Sequence, residues 1–250
     1  MPVRLSPRLQ TAVGFVRPGR LLADVGTDHA YLPIYLCEQN ILPPVTAGDG
    51  TSLCAIASDV NQGPVDRAAL HIRSSGCEDR IRTLRADGLQ GLEVLHPRDI
   101  VLFGMGGDLM VSILEKAPWI RTDGTRLILQ PMTHAETVRT YLLESGFAIT
   151  GERFSSEQVG STLHIYQTIC ADYDPTAAPT HTALYQRYIG MCPDEDKQRE
   201  LYCRLAEKTN RIMQTRYDAK RGAGQSADEE TVLLSQLTDC LAALPKGGLL

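Results

Sequence analysis

The fold is set by the stretch LLADVGTDHAYLPIYL, residues 21–36. Its apolar run ends at Asp24, a turn follows at Gly26, and an amphipathic run extends from Ala30 to Leu36. This pattern predicts a strand, a loop and a helix in that order. The loop carries a carboxylate, Asp28, and the type of ligand that suits this carboxylate is the first question the sequence raises.

The loop does not match a phosphate-binding turn. A dinucleotide-binding fingerprint, G-x-G-x-x-G, needs glycine at the positions that Asp28 and Tyr31 occupy, and only Gly26 fits the pattern. The order of strand, loop and helix is therefore typical of a nucleotide-binding sheet, whereas the loop residues are not typical of a pyrophosphate site.

The composition of the 250 residues is that of an ordinary globular protein, with 43% hydrophobic and 22% charged residues. No apolar run approaches the roughly 20 residues that a membrane span needs, and the first ten residues lack the apolar core of a signal peptide. Seven cysteines without a C-x-x-C pair indicate neither a disulfide framework nor a metal site. We expect a cytoplasmic protein with reduced thiols and no metal.

Strands and helices alternate along the first part of the chain. We predict helices at 5–16, 29–37, 64–75, 108–115 and 134–145, and strands at 21–24, 53–59, 80–85, 100–103 and 126–129. Two further runs, 147–154 and 162–170, flank SSEQVGS with almost no room for a helix, and they predict an antiparallel hairpin. Alternating strands and helices imply a parallel sheet covered by helices on both faces.

The segment ADYDPTAAPT, 171–180, reads as a linker and divides the chain into domains 1–170 and 181–250. Beyond it, Leu201, Leu205 and Ile212 indicate one long helix, GAGQS breaks the pattern at 222–226, and 232–244 indicates a second helix. The second domain is therefore expected to be a coiled-coil-like helical hairpin. A parallel sheet closed by a hairpin resembles the Rossmann-like fold of the class I methyltransferases.

An acid stands at or just after the end of each of the first three strands: Asp24, Asp59 and Asp87. Ligands of open parallel sheets bind at these carboxyl ends, where a pyrophosphate would meet like charge, so NAD is disfavoured. S-adenosylmethionine carries an ammonium and a sulfonium and no phosphate. Asp24 or Asp28 can face its cationic end, Asp59 can accept from the ribose hydroxyls, and Asp87 can accept from the adenine amine.

Each of these residues also has a structural interpretation. An acid at the end of a strand is often the cap of the next helix, and Gly26 alone can be a plain turn residue. A histidine at the start of a helix, as His29 is here, is often only a solvated or structural group. The conjunction of three acids in strand order is what favours a ligand site over capping.

Two further strand ends are chemically informative. Three glycines within GMGG, 104–107, leave bare backbone beside the predicted methyl donor, although a tight turn would also explain them. Gln130 ends the fifth strand, where its amide can hydrogen-bond a base. Thr133 and Glu136 have the spacing of a capping box, which predicts a structural role for His134.

Taken together, these motifs resemble the bacterial tRNA (adenine-22-N1)-methyltransferase family, a class I family of S-adenosylmethionine-dependent enzymes. The resemblance rests on LSPRLQTAVGFV at 5–16, DVGTDHAYLP at 24–33, DVNQGP at 59–64, DGL at 87–89, GMGG at 104–107 and LILQP at 127–131. One position departs from the family pattern: the family commonly reads Gln-Pro-Asn where this chain has Met132.

The resemblance implies methyl transfer to N1 of an adenosine in the D-arm of tRNA, with residues carried over by matching motif. The implied donor-site residues are Asp24, Gly26, Asp28, His29, Asp59, Val60, Asp87, Gly88 and Gly104. The implied residues at the meeting point of donor and base are Asp28, Met105, Gly106 and Gln130. Asp28 therefore has two open roles, one toward the donor and one toward the adenine amine.

Basic residues are concentrated in two places although the formal net charge is −5. Four arginines precede the first acid, and 197–221 holds eight basic residues against three acids. We expect phosphate contacts from Arg4, Arg8, Arg17, Arg204, Lys208 and Arg211. A solvated helix face is the structural alternative for the second cluster. A noncatalytic RNA-binding module and a small-molecule methyltransferase are the alternative functions, and no protein partner is implied.

Overall fold

The computed structural model describes residues 3–178, 180–181 and 183–244. Its strands are β1 Leu22–Val25, β2 Val45–Thr46, β3 Ser52–Leu53, β4 Ala55–Asp59, β5 Ile81–Arg85, β6 Asp99–Gly106, β7 Arg126–Thr133, β8 Phe147–Val159 and β9 Thr162–Tyr173. Its helices are α1 Pro7–Val13, α2 Tyr31–Glu38, α3 Gln62–Ser74, α4 Gly107–Glu115, α5 Ala135–Glu144, α6 Leu184–Ile189, α7 Asp196–Gly222 and α8 Asp228–Ala243. Short 3-10 turns lie at Glu93–Leu95 and Pro118–Ile120.

The main sheet has seven strands in the order β5-β4-β1-β6-β7-β9-β8. β1 lies between β4 and β6 and pairs with both in parallel, while β9 runs antiparallel to β7 and β8. The predicted Rossmann-like parallel sheet closed by an antiparallel hairpin is therefore confirmed. The strand order reverses at β1, so the loops after β1 and β6 meet at the topological switch point.

Every residue of β1 is buried, as expected for a parallel strand that is covered on both faces. Alternate residues enter different cores: Leu22 packs with α1, α2 and α3, and Ala23 packs with α4 and α5. A third core lies under the C-terminal helices, where Tyr202 and Leu205 of α7 meet Leu233 of α8. The first two cores cover the two faces of the sheet, and the third packs the C-terminal helices against Phe154 of β8.

Several predicted boundaries are wrong. β6 continues to Gly106 and β7 to Thr133, because the two strands stay paired past Phe103 and Gln130 with an irregular register. The predicted capping box is consequently absent: Thr133 belongs to β7, and His134 takes the N-cap position with φ 52° and no side-chain cap.

The hairpin and the segment after it also differ from prediction. β8 extends through SSEQV to Val159, and residues 171–173 complete β9 instead of beginning a linker. The sequence pattern missed α6, a helix of six residues, and placed Ile212 on the buried face of α7, where Met213 is buried instead. The ends of the predicted domains, 1–2 and 245–250, lie outside the described residues.

A buried polar cluster connects the sheet to the C-terminal segment; we call Arg139, Glu152, Gln167 and His181 the clasp. Arg139 donates to Glu152 Oε1 at 2.6 and 2.8 Å, to Gln167 Oε1 at 2.7 Å, and to the carbonyl oxygens of residues 187 and 188. Glu152 Oε2 accepts from the Met191 amide at 2.7 Å and lies 3.1 Å from His181 Nε2. The clasp thereby ties α6 and the chain around it to α5 and the hairpin.

Candidate active site

The candidate site is the crevice at the carboxyl edge of the sheet. The loops after β1, β4, β5 and β6 and the end of β7 all reach this edge. Gly26 and Gly104 each have φ 78°, a left-handed conformation that favours glycine. A Cβ atom at Gly26 would lie 2.1 Å from Cε of Met105, so the β1 and β6 loops touch at the switch point.

Asp24 lies at the base of this crevice and is 7% exposed. Burial raises its pKa to about 6, and the Thr27 hydroxyl offsets only part of that effect. Among the described residues no cation forms an ion pair with Asp24. A positively charged ligand at this point would restore the ionised form.

The two other strand-end acids lie nearer to solvent. Asp59 closes β4 and accepts from the Asn61 amide at 2.8 Å, while the exposed Asp87 follows β5 by two residues. Val60, next to Asp59, is 50% exposed and therefore offers an apolar surface to a flat ring. The predicted conjunction of acids at one edge of the sheet therefore matches the geometry, although their roles toward a ligand stay predictions.

Asp28 is held differently from these acids. Arg67 of α3 donates to Asp28 Oδ1 with Nε at 3.1 Å, and this hydrogen bond lowers the pKa of the carboxyl. His29 Nε2 lies 3.1 Å from the other oxygen. The carboxylate is exposed, so a role toward donor or base stays a prediction and would require it to exchange Arg67 for the ligand.

His29 belongs to a stack of aromatic rings next to Asp28. Its ring centroid lies 5.0 Å from those of both Tyr31 and His71, with interplanar angles of 16° and 19°. His71 Nδ1 lies 3.2 Å from the His29 carbonyl oxygen. These contacts support the structural interpretation of His29. They were not predictable from local sequence, because His71 lies 42 residues further along the chain.

The glycines of GMGG have separate tasks. Gly106 ends β6, and a Cβ at Gly107 would lie 2.2 Å from the His134 carbonyl oxygen, so this glycine lets the β6 and β7 ends pack closely. The exposed Gly104 leaves bare backbone at the crevice, and Gly88 beyond β5 has φ 61°. The side chain of Met105, within the same motif, lies against Gly26 of the β1 loop.

Gln130 is fully buried, and both ends of its amide are engaged. Its Oε1 accepts from Arg8 Nη1 at 3.3 Å, and its Nε2 donates to the Pro131 carbonyl oxygen at 2.9 Å. Arg8 also lies 3.5 Å from Sδ of Met132. The guanidinium of Arg8, predicted to contact phosphate, thus lies at the crevice beside the carboxyl ends of β6 and β7.

The other predicted phosphate contacts fall into three groups. Arg4 is exposed ahead of α1. Arg17 makes bonds of 2.5 and 2.9 Å to the buried Asp99 at the amino end of β6, opposite the crevice, and we correct its role to a structural one. Arg204 pairs with Glu200 at 2.9 Å, whereas Lys208 and Arg211 are exposed on α7.

A groove of about 300 Å³ runs from the end of β7 to α7. Met132, His134, Lys208 and Arg216 line it, so the basic face of α7 lies across the groove from the end of β7. Arg216 was missed by the sequence analysis although it lies two helical turns from Lys208.

No group of His, Cys, Asp or Glu with metal-binding geometry occurs within residues 3–178, 180–181 and 183–244. All seven cysteines are free thiols. No helix in the described part of the chain is long and apolar enough to cross a membrane.

Comparison with known proteins gives consistent results. A family model described as a methyltransferase domain matches residues 5–169. The tRNA (adenine(22)-N(1))-methyltransferase of Bacillus subtilis (strain 168) is 35% identical over 150 residues, which span 60% of this chain and 59% of that protein. The match therefore spans less than two thirds of the length of this curated relative.

Two solved structures cover almost the whole chain. The crystal structure of the B. subtilis M1A22 tRNA methyltransferase TrmK is 28% identical with a TM-score of 0.72, covering 96% of this chain and 97% of that one. The Streptococcus pneumoniae protein Sp1610 in complex with S-adenosyl-L-methionine is 25% identical with a TM-score of 0.73, covering 95% and 100%. The resemblance predicted from the sequence motifs is confirmed.

Proposed function

Because this chain belongs to the methyltransferase domain family, we propose that it transfers the methyl group of S-adenosylmethionine to N1 of adenosine 22 in tRNA. One observation carries the proposal: acids at the ends of three neighbouring strands meet bare glycine backbone at one crevice. That arrangement suits a cationic, phosphate-free donor. The names of the B. subtilis and S. pneumoniae proteins support the same donor and acceptor.

In the proposed donor complex, the buried Asp24 faces the cationic methionine end. Asp59 accepts from the ribose hydroxyls, Val60 packs on the adenine ring, and Asp87 accepts from the adenine amine. Gly26, Gly88 and Gly104 allow the backbone to approach the ligand. His29 and Asp28 complete the rim of the donor site.

The acceptor chemistry requires little from side chains. N1 of adenine has an in-plane lone pair, so it can attack the sulfonium methyl without first losing a proton. The lone pair forms the new bond while the electrons of the broken bond stay on sulfur. Met105, Gly106 and Gln130 would then align the base and exclude water, and no general base is needed.

N1 takes part in base pairing within a duplex, so the target adenosine must be unpaired or flipped before transfer. The groove beside α7 supports a route for the RNA to the crevice, because Lys208 and Arg216 line it. Arg4 and Arg211 offer further phosphate contacts. We also propose that 1–170 and 181–250 act as separate catalytic and RNA-binding domains, and that the reaction takes place in the cytoplasm.

The proposal is tested by incubating the full chain with unmodified tRNA transcript and methyl-labelled S-adenosylmethionine, then mapping the modified base. We expect label at N1 of adenosine 22 only. Label at another position would change the substrate assignment. Donor binding without any transfer to RNA would favour a small-molecule methyltransferase, and RNA binding without donor binding would favour a noncatalytic module.

A further inference from the structure

One cation at the crevice, beside the ends of β6 and β7, has no role in the donor and base contacts proposed above. Arg8 projects from α1, and its Nη1 lies 3.3 Å from Gln130 Oε1 and 3.5 Å from Met132 Sδ. A Cβ at Gly104 would be only 3.1 Å from the same nitrogen. The guanidinium therefore stands where β6 and β7 end, which is the place the acceptor base must reach.

The position of Arg8 is fixed by the way α1 is held on the hairpin. Ser6 caps the helix by accepting from the Leu9 amide. Thr11 Oγ1 lies 2.6 Å from Thr168 Oγ1 on β9 and donates to the Arg8 carbonyl oxygen. An arginine that only attracts phosphate on the surface does not need a helix anchored in this way.

The guanidinium also lies over an aromatic ring. Cζ of Arg8 is 5.6 Å from the ring centroid of Tyr166, which lies two residues before Thr168 on the same face of β9. A fixed planar cation next to an aromatic ring is a surface suited to a flat heterocycle with nitrogen acceptors.

We infer that Arg8 and Tyr166 form the wall of the acceptor pocket against which the target adenine lies. Arg8 is thus a base-contacting residue and not an outer phosphate contact. This inference rests on the proposed function and deepens it by assigning the acceptor subsite.

The test exploits the difference between arginine and lysine. A phosphate contact survives Arg8→Lys, because the charge is kept, whereas a planar base contact does not. We expect kcat/KM for tRNA methylation to fall at least about tenfold in both Arg8→Lys and Arg8→Ala, within the range measured for lost base stacking. The slope of log affinity against log salt should stay unchanged in Arg8→Ala, because the inference gives this arginine no phosphate contact to lose.

Tyr166 provides the second, independent variant. Tyr166→Ala should lower kcat/KM to a similar extent, and Tyr166→Phe should restore it because the ring is kept. Donor affinity and the melting temperature check that each variant folds. Arg4→Ala is the matched control for charge: it removes the same charge from an exposed position and should flatten the salt slope, whereas Arg8→Ala should not.

A binding measurement separates this inference from the proposed function. D-arm RNA with 2-aminopurine at the target position should emit several-fold more brightly with Tyr166→Ala than with the wild type or Tyr166→Phe, whether or not transfer occurs. Equal emission from all three proteins, or Arg8→Lys with wild-type activity, would overturn the inference. Failure of the wild type to methylate tRNA would overturn only the proposed function.

Discussion

Asp24 in the crevice and Glu152 in the clasp are both buried carboxylates, but their pKa values move in opposite directions. Burial raises the pKa of Asp24 to about 6, and no described cation offsets it. Burial would raise the pKa of Glu152 too, yet the charge of Arg139 and the bonds from His181 and the Met191 amide bring it to about 2. Their surroundings, and not their burial, separate a ligand site from a structural joint.

The two carboxylates should affect the pH dependence of stability in opposite directions, because their pKa shifts have opposite signs. The native pKa of Asp24 is raised, so its protonated form contributes stability at low pH, and that contribution is lost as pH rises from about 4 to 6. The native pKa of Glu152 is depressed, so its contribution is present above pH 4.5 and is lost as pH falls toward 2. A donor cation should remove the penalty at Asp24 alone.

The largest expected effect comes from breaking the clasp. Arg139→Met leaves Glu152 buried with one charged partner fewer, which should lower the free energy of unfolding by about 3–5 kcal/mol. Urea unfolding measures this loss. Donor affinity of the folded fraction should not change, because no clasp residue reaches the crevice.

The double variant Arg139→Met with Glu152→Gln provides the control. Removing both charges should cost less than removing Arg139 alone, since no buried carboxylate is then left underpaired. A loss below 1 kcal/mol in the single variant would show that the clasp does not hold the C-terminal segment.

The second-largest effect is expected in the crevice, where a substitution should weaken ligand binding and leave stability unchanged. Asp59→Ala should weaken S-adenosylmethionine binding by about 1.5–3 kcal/mol, the usual worth of a hydrogen bond to a charged group. The unfolding free energy should stay nearly constant, because among the described residues the Asp59 carboxylate bonds only to the nearby Asn61 amide. Calorimetry gives the affinity. Unchanged affinity in a folded variant would mean that another residue holds the ribose.

A smaller effect is expected at the groove between the end of β7 and α7. Lys208→Glu with Arg216→Glu should flatten the salt dependence of tRNA binding, with each lost phosphate contact lowering the slope by somewhat under one unit. Arg211→Glu changes the charge of one residue on the same helix outside the groove lining, and its effect should be smaller than that of Lys208→Glu or Arg216→Glu made singly. Equal effects would indicate a general charge contribution.

Substitutions suit this question better than truncation. Cutting the chain near Thr180 would remove His181 and the carbonyl groups that Arg139 bonds, so the clasp would fail together with tRNA binding. A loss of activity would then have two causes that the measurement cannot separate.

The sheet was predictable because its strands are short apolar runs with turn residues at their ends. The predicted strand 21–24 is displaced by one residue from β1, and the predicted strand 126–129 lies inside β7. The extensions of β6 and β7 were missed because glycine and proline in GMGG and QPM signal turns locally, whereas pairing between neighbours overrides that preference.

The acids of the crevice were predictable for a similar reason: parallel strands bring their carboxyl ends to one edge whatever lies between them in sequence. The partners of Asp28 and Gln130 were not, since Arg67 and Arg8 lie 39 and 122 residues away. Spacing along the chain carries no information on such contacts. The alternation of His164, Tyr166 and Thr168 on one face of β9 was the local signal available for the inferred wall of the acceptor pocket.

We propose that Asp24 is a buried carboxylate prepared for a cation, and the affinity for S-adenosylmethionine measured from pH 7 to pH 5 is the decisive test. Below pH 6 the free protein holds a proton on Asp24 that the cationic ligand must displace. We expect the affinity to fall by up to about tenfold for each unit that the pH is lowered, Asp24→Asn to bind weakly and without this pH dependence, and NAD to give no measurable heat. Affinity that does not vary with pH in the wild type, or NAD binding of comparable strength, would contradict it.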